Sequence, residues 1–205
     1  MFEGFADLWT PVIPTFAPYL LPRLHPHLHA AFPTLTVRWQ EAKTADLEAM
    51  LVSGELDVGL IADRPSADGL AHRVVGREPF VALLLWKGTA APVRLAELAS
   101  FELLLLDDGH CLRDQAEAVC RQHALAPSPF HATSLPTLVQ MVASGAGATL
   151  LPHCAVAIET AHANVHARPL VEDVGRQAVF VWRGSFPRAT LVDRVASELA
   201  LRLAA

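Results

Sequence analysis

Two cysteines nine positions apart, Cys111 and Cys120, are the residues of this sequence best suited to do chemistry. They lie in LLLLDDGHCLRDQAEAVCRQHA, residues 103–124. The run Leu103 to Leu106 reads as a buried strand, Asp107, Asp108 and Gly109 as a polar turn, and the remainder as a helix. Cys111 falls at the start of that helix, where backbone N–H groups lack partners and the macrodipole is positive. With Arg113 close by, this favours the thiolate, the nucleophilic form of the thiol. Cys120 falls near the far end, beyond Ala116 and Val119, where the dipole has the opposite sign and apolar neighbours favour the neutral thiol. Nine residues of α-helix rise about 13.5 Å and end about half a turn beyond two full turns, so the sulfurs point to opposite faces. A disulfide tolerates at most roughly 7 Å between Cα atoms. Joining the two therefore requires the helix between them to unfold, which turns an oxidation into a change of shape over about ten residues. The competing reading makes both cysteines small buried hydrophobes of a core helix, and spacing alone leaves it open.

The elements that must position this stretch alternate in type. A short strand ends at Val12-Ile13-Pro14-Thr15, with Pro11 awkward inside it, and residues 18–32 carry Tyr19, Leu20, Leu24 and Leu28 at helical spacing before Pro33. Residues 35–39 alternate as a half-buried strand. Thr44 can then cap a helix with Leu47, Met50 and Leu51 on its apolar face and Gly54 at its end, and residues 56–61 follow as a strand. Strand, helix, strand, helix, strand is a parallel α/β lobe. A second lobe opens near Glu78, with an apolar strand over 80–86, a short helix over 93–99, the 103–106 strand and the cysteine helix. Ser134 and Pro136 start a helix with Leu135, Leu138, Val139 and Val142 on one face, and 148–152 is a strand. A strand over 177–183 and an amphipathic helix over 187–203 finish the chain, whereas Met1 to Trp9 carry no recognisable pattern.

Composition excludes several functions. In 205 residues, 52% of them apolar, there is ample core, and no apolar run approaches the length of a membrane span. No basic start followed by an apolar stretch and a small-residue cleavage site marks the Met1 segment, so a cytoplasmic location is expected. Three cysteines at unrelated spacings do not form a secreted disulfide framework. A net charge of −5, with lysine only at Lys43 and Lys87, leaves no footprint for phosphates, so direct DNA contact by this chain is not expected. His25, His27 and His29 form HPHLH, but only His25 and His29 share a helix face and no Cys or acidic partner completes a tetrahedral set, so no metal site is expected. Cys154, after Pro152, reads as a buried small hydrophobe.

The words around the cysteines narrow the choice. Asp108-Gly109-His110-Cys111-Leu112-Arg113-Asp114-Gln115-Ala116, with a second cysteine nine positions after the first, closely resembles the regulatory domain of the OxyR-like, peroxide-sensing LysR-type transcriptional regulators. Gly54-Glu55-Leu56-Asp57 and the run Val142-Ala143-Ser144-Gly145-Ala146-Gly147-Ala148-Thr149-Leu150-Leu151-Pro152 are similar to signatures of the same superfamily, so the resemblance covers nearly the whole chain. It implies an α/β fold of two Rossmann-like lobes joined by two crossover strands, like type 2 periplasmic binding proteins. Residues 1–77 with 182–205 would form one lobe and 78–181 the other, which carries the cysteines; crossings are expected near 77–80 and 177–183. The family's N-terminal DNA-binding domain is not expected within the chain.

By the same resemblance, hydrogen peroxide oxidises Cys111 to a sulfenic acid, Cys120 condenses with it to a reversible disulfide, and the refolded segment rearranges a homodimer to activate transcription. That is stoichiometric sensing without turnover and without cofactor. Cellular dithiol reductants would reset it, and full-length chains would form tetramers that bind DNA through the separate domain. Peroxide needs donors that hold its oxygens in line with the sulfur and a means of protonating the leaving hydroxide. The family pattern places Thr15 and Thr44 there, with Gly109 and His110 as backbone donors and Arg113, Asp114 and Gln115 on the first helical turn. It adds an arginine from the second crossover strand, aligned to Arg176 with Arg183 as the competing choice. Thr15 can equally close a turn, Thr44 cap a helix and Asp114 complement the dipole. Two other functions stay open: an effector domain that binds a small organic ligand in the interlobe cleft, and a thiol peroxidase.

Overall fold

The structure, a computed structural model, describes residues 6–85 and 91–203, so the strand end expected at Trp86, Lys87 and the first five residues lie outside it. The chain divides into two units, Met1–Arg77 with Gln177–Ala205, and Glu78–Arg176. Two strands, β4 (Leu70–Leu84) and β9 (Gly175–Arg183), run from one unit into the other. The first division falls between Arg77 and Glu78. The second falls at 176/177 rather than 181/182, because Gln177–Arg183 is already laid against a strand of the first unit.

In the first unit the element order is β1 (Ala6–Val12), α1 (Ala17–Ala31), β2 (Leu35–Glu41), α2 (Thr44–Ser53), β3 (Val58–Ala62) and, at the chain's end, α6 (Ala189–Leu203). The strand order is β2-β1-β3-β9, with β1 parallel to β2 and β3, and β9 antiparallel to β3. Ala6 to Trp9, patternless in sequence, form most of β1, and Pro11 is inside it. Trp9 O and Ile13 N bond Asp57 N and Leu60 O on the β3 side, whereas Val12 O takes Ala42 N on the β2 side. The donor that Pro11 lacks therefore faces β3, where pairing is sparse, and the ladder to β2 is untouched. Helix α1 contains Pro22 and Pro26, which follow Pro18 at four-residue intervals. All three are exposed, so the carbonyls they leave without helical donors face water, while Tyr19, Leu20, Leu24 and Leu28 bury the other face. Helix α2 ends at Gly54, whose φ of 83° is left-handed; a Cβ there would come within 2.6 Å of Arg183 Nη1, which donates to Leu51 O at 3.1 Å.

In the second unit β5 (Leu103–Leu106), α3 (Cys111–His123), β6 (Pro127–Ala132), α4 (Leu135–Ala143), β7 (Ala148–Pro152), α5 (His153–Glu159) and β8 (His166–Pro169) follow β4. The order is β4-β7-β5-β6, with β8 beside β4; β5 is parallel to β6 and β7, and β4 antiparallel to β7 and β8. The helix expected over 93–99 is a 3-10 helix over Leu95–Ser100, its first N–H groups held by Glu97 and Glu172. Sequence reading passed over β6, α5 and β8. PSPFHA has two prolines, which only an edge strand tolerates, and β6 is an edge; the other two are a seven-residue helix and a four-residue strand, too short for a period to show. Helix α4 starts as expected, with Ser134 Oγ accepting Thr137 N–H and Leu135, Leu138, Val139 and Val142 buried. Among the described residues no helix is long and apolar enough to cross a membrane.

Candidate redox site

Strand β5 is buried at every residue, so the chain must leave the sheet before polar groups appear. It does so at Asp107, whose N–H bonds Ala132 O at 2.8 Å and whose Oδ1 accepts the Asp108 N–H at 2.8 Å. Gly109 then turns the backbone at a φ of 84°. His110 is extended and caps no N–H with its side chain, and Cys111 is the first residue of α3. The cysteine therefore sits at the carboxyl end of a strand that is parallel to its neighbours, the edge where open α/β sheets bind ligands.

Helix α3 buries Leu112, Ala116, Val119 and Cys120, a single stripe at i, i+4, i+7 and i+8. Cys111 is off the stripe and half-buried; Cys120 is in it and 2% exposed. Neither cysteine is in a disulfide, and with the helix intact between them their Cα atoms are separated by about 13.5 Å of rise. Burial pushes the Cys120 thiol's pKa up, and the Glu117 carboxylate close by on the helix adds to this, partly offset by a backbone hydrogen bond and Arg121. Gln115 lies one helical turn after Cys111 on the same face and is half-buried. Asp114 is an exposed first-turn acid, placed to complement the helix dipole.

Arg113 does more than the sequence implied. Its side chain is 14% exposed, with Nε 3.0 Å from Asp108 Oδ1 and Nη2 2.9 Å from Glu117 Oε1. Nη1 donates to Leu106 O at 3.0 Å and to His131 Nδ1 at 2.8 Å. The guanidinium thus ties the end of β5, the turn, the first two turns of α3 and β6 together. Its charge is met by two carboxylates instead of standing open toward Cys111. Glu117 and His131 were missed in the sequence: an i,i+4 Arg-Glu pair was legible there, whereas nothing announced the histidine from β6.

The remaining candidates lie elsewhere. In the first unit, Thr15 and Thr44 each follow a strand by three residues, and those strand ends, Val12 and Glu41, are register partners, so both threonines belong to one carboxyl edge. Thr15 is buried in a turn. Thr44 does not cap α2 as expected: Lys43 occupies the cap position, Thr44 is the first helical residue, and its buried Oγ1 has no hydrogen-bond partner among the described residues. Arg176, on β9, is 1% exposed and pairs with Glu78, its Nε and Nη2 at 2.9 and 2.8 Å from Oε2. Arg183, the competing choice, is spent on Leu51 O and Ser185 Oγ. In HPHLH, His25 Nδ1 accepts from Trp39 Nε1 and His27 Nε2 meets Glu198 Oε2, each at 3.0 Å, and no metal-binding group of three occurs among the described residues.

This fold, two α/β units joined by two crossing strands, is of the type 2 periplasmic-binding-like class seen in its structural neighbours. Within that class the chain belongs to the LysR substrate binding domain family, whose sequence model matches residues 12–203. It is 37% identical over 198 residues, 94% of its length, to the DNA-binding transcriptional dual regulator OxyR of Escherichia coli K12, and spans 65% of that relative's length. It is similar to the reduced regulatory domain of OxyR2 from Vibrio vulnificus, with 32% identity, 99% of each chain covered and a TM-score of 0.86. It also resembles a cysteine-to-serine mutant of OxyR from Corynebacterium glutamicum in its H2O2-bound form, with 29% identity, 98% of this chain and 66% of the other covered, and a TM-score of 0.90.

Proposed function

We propose that the chain is the redox-sensing regulatory domain of a LysR-type transcription regulator and that hydrogen peroxide is its signal. The observation that supports this most directly is the placement of two cysteines, neither in a disulfide, on one helix. One is half-exposed at its first residue on a carboxyl edge, the other buried near its end. In the proposed reaction the Cys111 thiolate attacks one peroxide oxygen, the O–O bond breaks, and the departing hydroxide takes a proton to become water. The Cys120 sulfur then attacks the Cys111 sulfenic sulfur, the S–S bond forms and a second water leaves. Two thiols and one peroxide become one disulfide and two waters, after which a dithiol reductant restores the thiols. Each chain reacts once per signal, so this is sensing and not turnover.

Because the bond cannot span the intact helix, residues 111–120 must unwind, withdrawing Leu112, Ala116 and Val119 from their buried stripe. That refolding is the element proposed to rearrange a homodimer and, in a tetrameric full-length regulator in the cytoplasm, its hold on DNA through a separate domain. For binding peroxide, Gly109 and His110 offer backbone N–H groups beside Cys111, and Gln115 shares its helix face. Thr15, Thr44 and Arg176 are carried on the family pattern, Thr44 with the added support of its unpartnered hydroxyl. Arg113 and Asp114 act on the same pattern, Arg113 chiefly by holding the turn.

The test is to add about one equivalent of peroxide to the reduced protein, trap the remaining thiols and locate disulfides by peptide mass spectrometry. A Cys111–Cys120 bond, lost in Cys111→Ser and replaced by over-oxidised Cys111 in Cys120→Ser, is expected. Persistence of both thiols in excess peroxide would sink the reading.

A further inference from the structure

Cys154, the second residue of α5, takes part in none of these steps, yet it is packed against a buried ion pair. While Glu78 Oε2 holds Arg176, Glu78 Oε1 accepts the Cys154 backbone N–H at 2.8 Å, which sets this residue directly beside the pair. The close approach depends on Gly175: a Cβ there would collide with the Glu78 carbonyl oxygen and Pro79 Cα, so a glycine lets β9 bring Arg176 against Glu78.

A thiol beside a guanidinium ordinarily loses its proton readily, since a nearby opposite charge favours the anion. A thiolate at Cys154 would compete with Cys111 for oxidant. We propose that Glu78 is a specificity-determining residue for thiol oxidation: by occupying Arg176 and holding its own negative charge beside Cys154, it silences this third thiol and leaves peroxide to Cys111. Burial and Glu78 both push the Cys154 thiol up, and Arg176 opposes them less strongly. Removing the carboxylate charge deletes an upward cause and leaves the downward one. The charged groups that act on the thiol are Glu78 on β4 and Arg176 on β9; its own helix also carries His153 and Glu159. The inference extends the peroxide-sensing reading, but its test needs no peroxide.

Reduced protein is alkylated with iodoacetamide between about pH 7 and pH 10, and the rate at each cysteine is read by peptide mass spectrometry. Wild-type Cys154 labels slowly at neutral pH. In Glu78→Gln, which retains an acceptor for the Cys154 N–H, its rate at about pH 7.5 rises at least roughly tenfold and its pH profile moves downward. In Glu78→Gln/Arg176→Met, with neither charge present, the rate returns toward wild type. An unchanged rate in the single variant overturns the proposal. So does an equal rise in both variants, which marks loosened packing rather than charge. If the variants do not fold, wild-type protein still decides, because Cys154 labelling as fast as Cys111 at neutral pH refutes the silencing. Failure here leaves the sensor reading to the peroxide experiment alone.

Discussion

Replacing Ala124 by glycine should make the proposed disulfide harder to form. Ala124 closes α3 with φ 53° and ψ 37°, a left-handed conformation that its Cβ resists, and its N–H and that of Leu125 both bond Cys120 O. The closing turn is thus fastened to the residue that must travel toward Cys111. The left-handed conformation costs an L-residue about 1–2 kcal/mol, and unwinding α3 releases that strain. Glycine removes the strain from the reduced helix, but it also gains about 0.4–1 kcal/mol of extra freedom in the released segment. The net stabilisation of the reduced form is about 0.5–1 kcal/mol, or a roughly two- to fivefold lower disulfide-forming equilibrium constant. At 1.4 kcal/mol per 30 mV this is a shift of about 10–20 mV to less negative potential. Titration in glutathione buffers, with the disulfide quantified by mass spectrometry, measures it. Thermal unfolding of the reduced protein checks the strain separately, with an expected rise of about 1–4 °C. A more negative potential, or a lower melting temperature of reduced Ala124→Gly, would refute the reasoning. A raised melting temperature with an unchanged potential would show that unwinding stops short of residue 124.

Two further outcomes follow from the site. Thr44→Val removes a buried hydroxyl that has no partner among the described residues, so reduced protein should gain about 1 kcal/mol in denaturant unfolding while peroxide oxidation of Cys111, followed by stopped-flow thiol trapping, slows about tenfold; an unchanged oxidation rate would remove Thr44 from the peroxide donors. Arg113→Ala frees the brace joining β5, the turn, α3 and β6 and leaves Glu117 facing only Arg121. It should cost about 2 kcal/mol and lower the melting temperature by about 4–8 °C, with amide exchange rising first in residues 107–117, and a protein as stable as wild type would contradict the brace.

The cysteine helix was legible because three signals agree along it: an apolar run that must be buried, a turn with Gly109 where φ is positive, and a stripe at 112, 116, 119 and 120. Much of the first α/β lobe was legible for the same reason, since α1, β2 and α2 each show their own period. What failed was local. Pro11 looked foreign to a strand because sequence cannot say which side of the strand a missing donor faces, and PSPFHA looked like loop because only a position at the sheet edge makes its prolines tolerable.

Chemistry followed the same division. The residue types and spacing of Cys111 and Cys120 were enough to require unwinding before they can join, because helix rise and disulfide length are properties of any chain. Which charges face which thiol was beyond the sequence. Arg113, close to Cys111 in the chain, is turned to Asp108, Glu117 and His131, while Arg176 of β9, 22 positions after Cys154, is brought near that helix residue through Glu78 of β4. Such pairings depend on how β4, β6 and β9 are laid beside residues distant in sequence, and electrostatic effects act through distance in space and burial, neither of which one-dimensional spacing records.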